Sequence, residues 1–235
     1  MKKLLSLFAI LVLCSTSMAT TIDEFENTSI MTNVYGTVYN AIYLQSDATL
    51  RDTTIGVLGG VRDVAVDFSV DGYPANAFVI SDISEGWGDA GSLSLGGSST
   101  AQFTLTYSAG DAGLNTDLSS GTKITLDFDP DHVGYLRTSI VSVILNDGVN
   151  SAEVSYSWSS YLMLPRTQLD FTFAAFLADN ASLDLTSIDS IALHYVSDHD
   201  NDVSFYSLTT DAVPEPATIA LLGLGGLLFA RKRKA

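Results

Sequence analysis

The 235-residue sequence predicts an all-β fold, an antiparallel sandwich of two sheets of the jelly-roll type. Three observations favour this fold. Apolar and polar residues alternate along several short segments, as in 64–70, where every second residue is apolar. Turn-forming residues separate these segments at intervals of roughly 8–15 residues. Between the two ends of the chain, no window has the apolar periodicity and the capping residues of a long amphipathic helix.

The individual strands follow from these patterns in chain order. Alternation typical of half-buried strands occurs in 64–70, 103–107, 124–128 and 154–158. Residues 139–145 are apolar on both faces, which predicts a strand inside a sheet. Further candidate strands are 32–44, 75–80, 169–173, 190–196 and 203–208. Predicted turns lie at Gly59-Gly60, Asp71-Gly72, Gly96-Gly97, Ala109 to Gly113, Asn146-Asp147-Gly148 and Asp179-Asn180.

The first 19 residues have the order of a secretory signal peptide. Lys2 and Lys3 form a positive n-region, and residues 4–13 form an apolar segment. Small residues then precede a cleavage site that we predict between Ala19 and Thr20. The sequence therefore indicates an exported protein.

The last 23 residues combine three features in a fixed order. Pro214, Glu215 and Pro216 come first, and the two prolines predict an extended segment because they fix φ and lack an N–H. An apolar segment, 217–230, follows. Four basic residues come next: Arg231, Lys232, Arg233 and Lys234. Basic residues beside an apolar segment favour the cytoplasmic side of a membrane.

This order resembles the PEP-CTERM sorting signal of exported bacterial proteins, whose signature tripeptide matches residues 214–216. The resemblance implies an exosortase-type sorting enzyme as a partner, transient attachment to the inner membrane, and delivery to the cell surface or extracellular matrix. A helix over 217–230 would be about 21 Å long, whereas the hydrocarbon core is roughly 30 Å thick. We therefore expect the tail to be removed after use. A tail that stays in place as a weak anchor is the alternative.

Between the two signals, residues 20–212 are predicted to form one domain, because no linker interrupts the strand pattern. This region contains no cysteine, so its core must hold the fold without disulfide bonds. It keeps five basic and 26 acidic residues, a formal net charge of −21. Such a surface repels nucleic acid and anionic lipid, and nucleic acid is excluded as an expected partner.

Within this region, three short segments resemble those of other exported passengers with the same tail: 22–26 (IDEFE), 59–63 (GGVRD) and 187–191 (SIDSI). Those passengers resemble jelly-roll carbohydrate-binding modules. The resemblance implies the same sandwich fold and an extracellular carbohydrate as the class of ligand.

Acidic residues form one candidate metal site. The D-x-D-x-D pattern consists of Asp127, Asp129 and Asp131. Pro130 is predicted to turn the chain out of its strand there, and carboxylate oxygens at this spacing suit Ca²⁺, which makes Ca²⁺ the candidate cofactor. His132 and Thr138 stand where an EF-hand has Gly and Glu, so this is not an EF-hand. Residues 198–202 form a second acidic segment. The alternative for both is a polar turn of an acidic protein.

The two tryptophans have different surroundings. Trp87 lies between glycine and acidic residues in the segment 85–89, which is unusual for a core position, so we predict that it is exposed. Because flat aromatic faces stack on sugar rings, Trp87 is the candidate ligand-binding residue. Trp158 is in phase with Val154 and Tyr156, which predicts a place in the core.

No catalytic residue is predicted. A G-x-S-x-G motif and a thiol nucleophile are lacking in 20–212, and His132, His194 and His199 lack the neighbours of a zinc site. His194 is expected to be a structural histidine of a strand. The many acidic residues do not single out a glycosidase pair. We therefore expect a non-catalytic protein that binds extracellular polysaccharide. A secreted glycan-active hydrolase and a purely structural surface protein are the alternatives.

Overall fold

Two antiparallel sheets make up the part of the chain that the structure describes. The computed structural model describes residues 20–25, 28, 30–34, 37–44, 48–53, 56–68, 77–81, 92–96, 101–110, 112–133, 138–158, 165–197 and 201–211. Its strands are β1 (Thr20–Asp23), β2 (Met31–Val34), β3 (Thr37–Leu44), β4 (Ala48–Asp52), β5 (Arg62–Phe68), β6 (Ala77–Ser81), β7 (Ser92–Gly96), β8 (Ala101–Tyr107), β9 (Lys123–Val133), β10 (Ser139–Asn146), β11 (Ser151–Trp158), β12 (Thr167–Thr172), β13 (Ser190–Ser197) and β14 (Asn201–Thr210). The described residues also include one α-helix, α1 (Phe173–Asp179), and a 3₁₀ turn at Leu58–Gly60.

The strands pair in two sheets. The larger sheet has the order β12-β9-β14-β7-β6-β3-β2, and β1 pairs with the end of β14. The smaller sheet has the order β11-β10-β13-β8-β5-β4. All of these pairs are antiparallel, and the chain crosses repeatedly from one sheet to the other, as in a jelly roll. The predicted two-sheet sandwich is confirmed, and β10 lies inside its sheet as expected.

The inward residues of the two sheets meet in one aromatic-rich core. Phe103 of the smaller sheet meets Phe205 of the larger sheet edge to face, with ring centroids 5.5 Å apart. Trp158 packs on Phe128 at 5.3 Å and on Tyr195 at 6.1 Å, in agreement with its predicted core position. Such aromatic pairs add about 0.5–1.5 kcal/mol beyond the burial of their area.

Several strands differ from the prediction. The single strand predicted over 32–44 is a hairpin, in which β2 and β3 pair with Val34 opposite Thr37. Only residues 35 and 36 connect the two strands, and a two-residue reversal leaves the alternation of the sequence almost unbroken. Strands β1, β4 and β7 were not predicted, because four or five residues carry too little periodicity.

Strand β9 continues through Pro130, so the prediction that this proline turns the chain outward was wrong. On either side of the proline, the paired residues are Asp129 with Ser204 and His132 with Asp202. Between these two pairs, β9 advances by three residues while β14 advances by two, so β9 contains a β-bulge. A bulge accommodates a proline because the ladder needs no N–H at that position. The D-x-D-x-D pattern thus lies within a strand.

Helix α1 is short, and both of its ends have caps. The Thr172 hydroxyl accepts the N–H of Ala175 at 3.3 Å, and the Asn180 N–H donates to the Phe176 carbonyl at 2.8 Å. The turn predicted at Asp179-Asn180 is therefore the end of a helix. Phe173 and Phe176 attach α1 to the core.

The predicted turn at 146–148 is held by the Asp147 carboxylate. It accepts the N–H groups of Val149, Asn150 and Asp184 at 2.9, 2.6 and 2.8 Å. These hydrogen bonds, above all the one from Asn150, hold the pKa of Asp147 well below its usual range. One charged side chain therefore joins the β10–β11 hairpin to the loop that follows α1.

A buried ionic cluster joins the two sheets. Arg62 of β5 donates from Nη1 to Asp23 of β1 at 2.6 Å and from Nη2 to Asp52 of β4 at 2.7 Å. Tyr107 of β8 donates its hydroxyl to the same Asp23 oxygen at 2.9 Å. Burial opposes the positive charge of Arg62, but Asp23 and its neighbours outweigh burial and raise the arginine pKa. We call these four residues the Arg62 cluster.

The first and last described residues lie side by side. In the pairing of β1 with β14, Thr20 faces Thr210 and Thr21 faces Thr209. The Asp211 carboxylate then accepts the N–H groups of Thr122 and Lys123 at 2.7 and 2.9 Å. Burial acts to raise the pKa of Asp211, but these hydrogen bonds prevail and lower it. We call residues 20–21, 122–123 and 209–211 the terminal corner.

The predicted signal peptide and sorting tail lie outside the described residues. The two expected targeting helices are therefore not part of this description. Within the described ranges, no helix is long and apolar enough to cross a membrane.

Candidate functional site

A shallow groove of about 370 Å³ lies on the smaller sheet. Strands β4, β5 and β8 form it side by side. Its lining residues are Thr49, Leu50, Arg51, Asp63, Val64, Ala65, Thr104 and Thr106. Because the alternate residues of these strands fill the core, the polar ones among the lining residues point to the outer face of the sandwich.

One ion pair lies in this groove. Arg51 and Asp63 face each other in neighbouring strands, with Nε 2.6 Å from Oδ1 and Nη2 3.0 Å from Oδ2. The arginine side chain is 45% exposed and the aspartate side chain 29% exposed, so solvent and ligands can reach both. A guanidinium has five N–H donors and a carboxylate has several lone pairs, so each can also bond to a ligand.

A row of small, mostly polar residues extends the groove across the sheet. In register it consists of Thr49, Ala65, Thr104, His194, Ser142 and Ser155. Two hydrogen bonds order it, Thr104 Oγ1 with His194 Nδ1 at 2.9 Å and Ser142 Oγ with Ser155 Oγ at 2.8 Å. Ser142 is only 1% exposed, so it supports Ser155 rather than meeting a ligand itself. Six strands at their usual spacing make this polar row about 24 Å long. His194 is a hydrogen-bonded strand residue, as expected.

The groove offers hydrogen-bond donors and acceptors side by side. Its hydroxyl groups both donate and accept hydrogen bonds, and the ion pair places donors beside acceptors. Of the eight lining residues, Asp63 is the one carboxylate, and it is paired with Arg51. Hydrolysis of a glycosidic bond ordinarily uses two carboxyl groups on opposite sides of the bond.

Two of the three predicted metal ligands, Asp127 and Asp129, lie on the outer face of the larger sheet. Asp127 forms a bidentate pair with Arg166, at 2.9 and 2.7 Å, and the guanidinium of Arg166 lies 3.7 Å from the Tyr206 ring centroid. Asp129 is two residues along the same strand, and the side chain of Asp131 is outside the described residues. Within the described ranges, no group of three or more His, Cys, Asp or Glu side chains is placed to hold a metal ion.

The remaining sequence candidates fall outside the description. Trp87, residues 198–200 and the tail residues 213–235 are among them, whereas Thr20 is the first residue of β1. The sequence reasoning did not identify the groove. No local signal could have found it, because Arg51, Asp63 and Thr104 come together only through the register of three strands.

Comparison with known proteins identifies one segment of the chain. Residues 212–234 match the PEP-CTERM protein-sorting motif. This match confirms the sorting signal predicted from the sequence and indicates an exported protein that is sorted to the cell surface or the extracellular space.

The described sandwich was also compared with solved structures. A family 11 carbohydrate-binding module from a cellulase of Clostridium thermocellum is 16% identical, with 86% of this chain and 99% of that chain covered and a TM-score of 0.39. A family 30 module from another cellulase of that organism is 12% identical, with 74% and 98% covered and a TM-score of 0.39. A cellulose-specific CBM28 module is 11% identical, with 62% and 86% covered and a TM-score of 0.40. No curated protein matches the sequence. Because these TM-scores are below 0.5, no ligand is inferred from them.

Proposed function

We propose that this chain is a non-catalytic extracellular module that binds polysaccharide along the groove and the polar row. The observation that carries the proposal is the exposed Arg51–Asp63 pair at one end of a row of hydroxyl groups. A sugar offers neighbouring hydroxyl groups, which can donate to the carboxylate and accept from the guanidinium at the same time. The Ala65 methyl group, exposed between Thr49 and Thr104, offers an apolar contact for a sugar C–H face.

The length and charge of this surface favour an extended neutral ligand. The polar row spans about 24 Å from Thr49 to Ser155, interrupted by the buried Ser142, and this length suits a chain of sugar rings better than a single small molecule. The formal charge of −21 over residues 20–212 opposes polyanions. Trp87 remains our candidate for an additional stacking residue, and Asp127, Asp129 and Asp131 remain our candidates for Ca²⁺.

We further propose how the protein reaches the exterior. A signal peptidase removes residues 1–19, the apolar segment 217–230 holds the chain in the inner membrane, and an exosortase-type enzyme then cuts near Pro214-Glu215-Pro216. The freed module stays at the cell surface or in the extracellular matrix. The support for this proposal is the match of residues 212–234 to the sorting motif.

The first test is terminal peptide mapping by mass spectrometry of protein recovered from the surface of a host that contains an exosortase. We expect an N-terminus at Thr20 and the loss of residues 231–234, because both signals act only during export. Recovery of mature protein that still carries Arg231 to Lys234 would contradict a transient anchor. It would favour the alternative of a weak permanent anchor.

The second test concerns the groove and uses a glycan array with residues 20–212, with and without Ca²⁺. We expect that Arg51→Ala weakens binding to any recognised glycan by about tenfold or more, because a lost hydrogen bond to a charged group costs about 1.5–3 kcal/mol. Trp87→Ala, assayed in parallel, tests the additional stacking residue.

Arg166→Ala is the matched control. It also removes an exposed bidentate pair with an aspartate, but from the outer face of the other sheet. If both arginine variants lose binding equally, or neither does, the groove is not the site. Release of cleaved product from the bound glycan would favour a hydrolase, and absence of any glycan binding would favour a purely structural protein.

A further inference from the structure

We propose that the terminal corner is the surface that meets the membrane-embedded sorting enzyme when the tail is cut. This inference rests on the proposed export route, and it names the side of the module that the enzyme contacts. The carrying observation is that both ends of the domain leave the same corner of the sandwich.

The length of chain between the corner and the motif limits where the enzyme can be. Asp211 is the last described residue, and Pro214 follows three residues later. At a maximum of about 3.6 Å per residue, Pro214 lies within about 11 Å of Asp211 in any conformation. The apolar segment begins at Ala217, within about 22 Å. An enzyme that holds residues 214–216 in its site must therefore lie against the corner.

We call the two residues between Asp211 and Pro214 the tether. The hydrogen bonds of the terminal corner keep the residues before Pro214, up to Asp211, in the domain, so they cannot lengthen the tether. Asp211 is held by the N–H groups of Thr122 and Lys123, and Thr210 Oγ1 donates to the Lys123 carbonyl at 3.0 Å. Strand β14 is paired on both of its edges up to this point, with β9 on one side and β1 on the other. Lengthening the tether would require removing part of an interior strand of the larger sheet.

The N-terminal end reinforces the same orientation. Predicted cleavage after Ala19 leaves no spacer before Thr20, which is already paired with Thr210. The N-terminus that signal peptidase leaves would thus lie at the same corner as the start of the tail. The corner presents threonine residues, and its cation Lys123 is paired with Asp170 at 2.7 Å. Because the domain is strongly acidic and the cation of the corner is already paired, the corner suits a polar protein surface better than anionic lipid.

Site-specific photo-crosslinking of the full-length chain tests the inference. The photoreactive residue p-benzoylphenylalanine replaces Ser119, an exposed residue three positions from Thr122. The matched control replaces Thr167, which is exposed at the other end of β12, about 17 Å along the strand from the residue that pairs with Lys123. In a host with its sorting enzyme, we expect an adduct with that enzyme from Ser119 and none above background from Thr167.

A flexible insertion tests whether the shortness of the tether is what brings the sorting enzyme against the corner. About 12 Gly and Ser residues placed between Ala212 and Val213 add roughly 2 nm of average reach. We expect loss of the Ser119 adduct while peptide mapping still finds the tail removed. Equal adducts from both positions, no adduct from Ser119 despite tail removal, or an adduct that survives the insertion would each overturn the inference. If the tail is not removed from the unmodified protein, the proposed export route itself is wrong.

Discussion

Arg62→Met should lower the free energy of unfolding of residues 20–212 by about 3–5 kcal/mol, since it leaves two buried carboxylates without their counter-charge. Asp23 is 2% exposed and Asp52 0% exposed, so water cannot replace the lost guanidinium. Methionine is apolar and unbranched, so most of the loss comes from charge rather than from an empty space. Urea or guanidinium denaturation, followed by tryptophan fluorescence and circular dichroism, measures the change.

Arg51→Met is the control for this experiment. It breaks a bidentate arginine–aspartate pair that is exposed to solvent, and exposed pairs contribute about 0–1 kcal/mol. Arg62→Lys keeps the charge and provides a milder variant if Arg62→Met does not fold. Equal and small effects of Arg62→Met and Arg51→Met would mean that the Arg62 cluster does not stabilise the sandwich.

Val66→Asp should cost about 4 kcal/mol or more, because it places an unpaired carboxylate in the core. Val66 is 4% exposed, and it lies in β5 beside Phe103 of β8. The neighbouring change Asp67→Asn should stay within about 0.5 kcal/mol, since Asp67 is exposed and its one described contact is a hydrogen bond from Gln102 at 2.9 Å. Denaturation curves of the two variants measure the difference. Comparable losses would show that the faces of β5 are assigned wrongly.

The sequence was sufficient to predict which face of each alternating strand is buried. Val64 and Val66 of β5, and Phe103 and Leu105 of β8, are buried as their alternation predicts. This works because a strand with one buried face must have a side-chain period of two residues. The side chain of Phe68, expected on the same inward face, lies outside the described residues.

The same two-residue alternation also indicated that Arg62 is buried, which was not predicted. Arg62 is in phase with Val64 and Val66, so the alternation placed it inside, but a charged residue at the start of a strand is normally taken for a surface residue. Its partners Asp23 and Asp52 lie 39 and 10 residues away, beyond the reach of a local pattern. A buried arginine becomes acceptable only when tertiary structure supplies the carboxylates.

The D-x-D-x-D pattern illustrates a strand end that was predicted in the wrong place. The strand was expected to end at Pro130, because proline commonly ends a strand. In the structure, a bulge keeps the strand intact, and Arg166, 39 residues further on, pairs with Asp127. Neither the bulge nor the pairing of Asp127 with Arg166 could be predicted from the local sequence, because both depend on segments that are distant along the chain.

The place of β14 in the larger sheet determines when the sheet can form. This strand ends two residues before the tail segment, yet it lies between β9 on one edge and β7 and β1 on the other. The larger sheet is therefore incomplete until the end of the domain has been synthesised. Contacts between residues so distant in sequence also form slowly. Until then the chain lacks the strand that joins β9 to β1 and β7, so those strands cannot form one sheet.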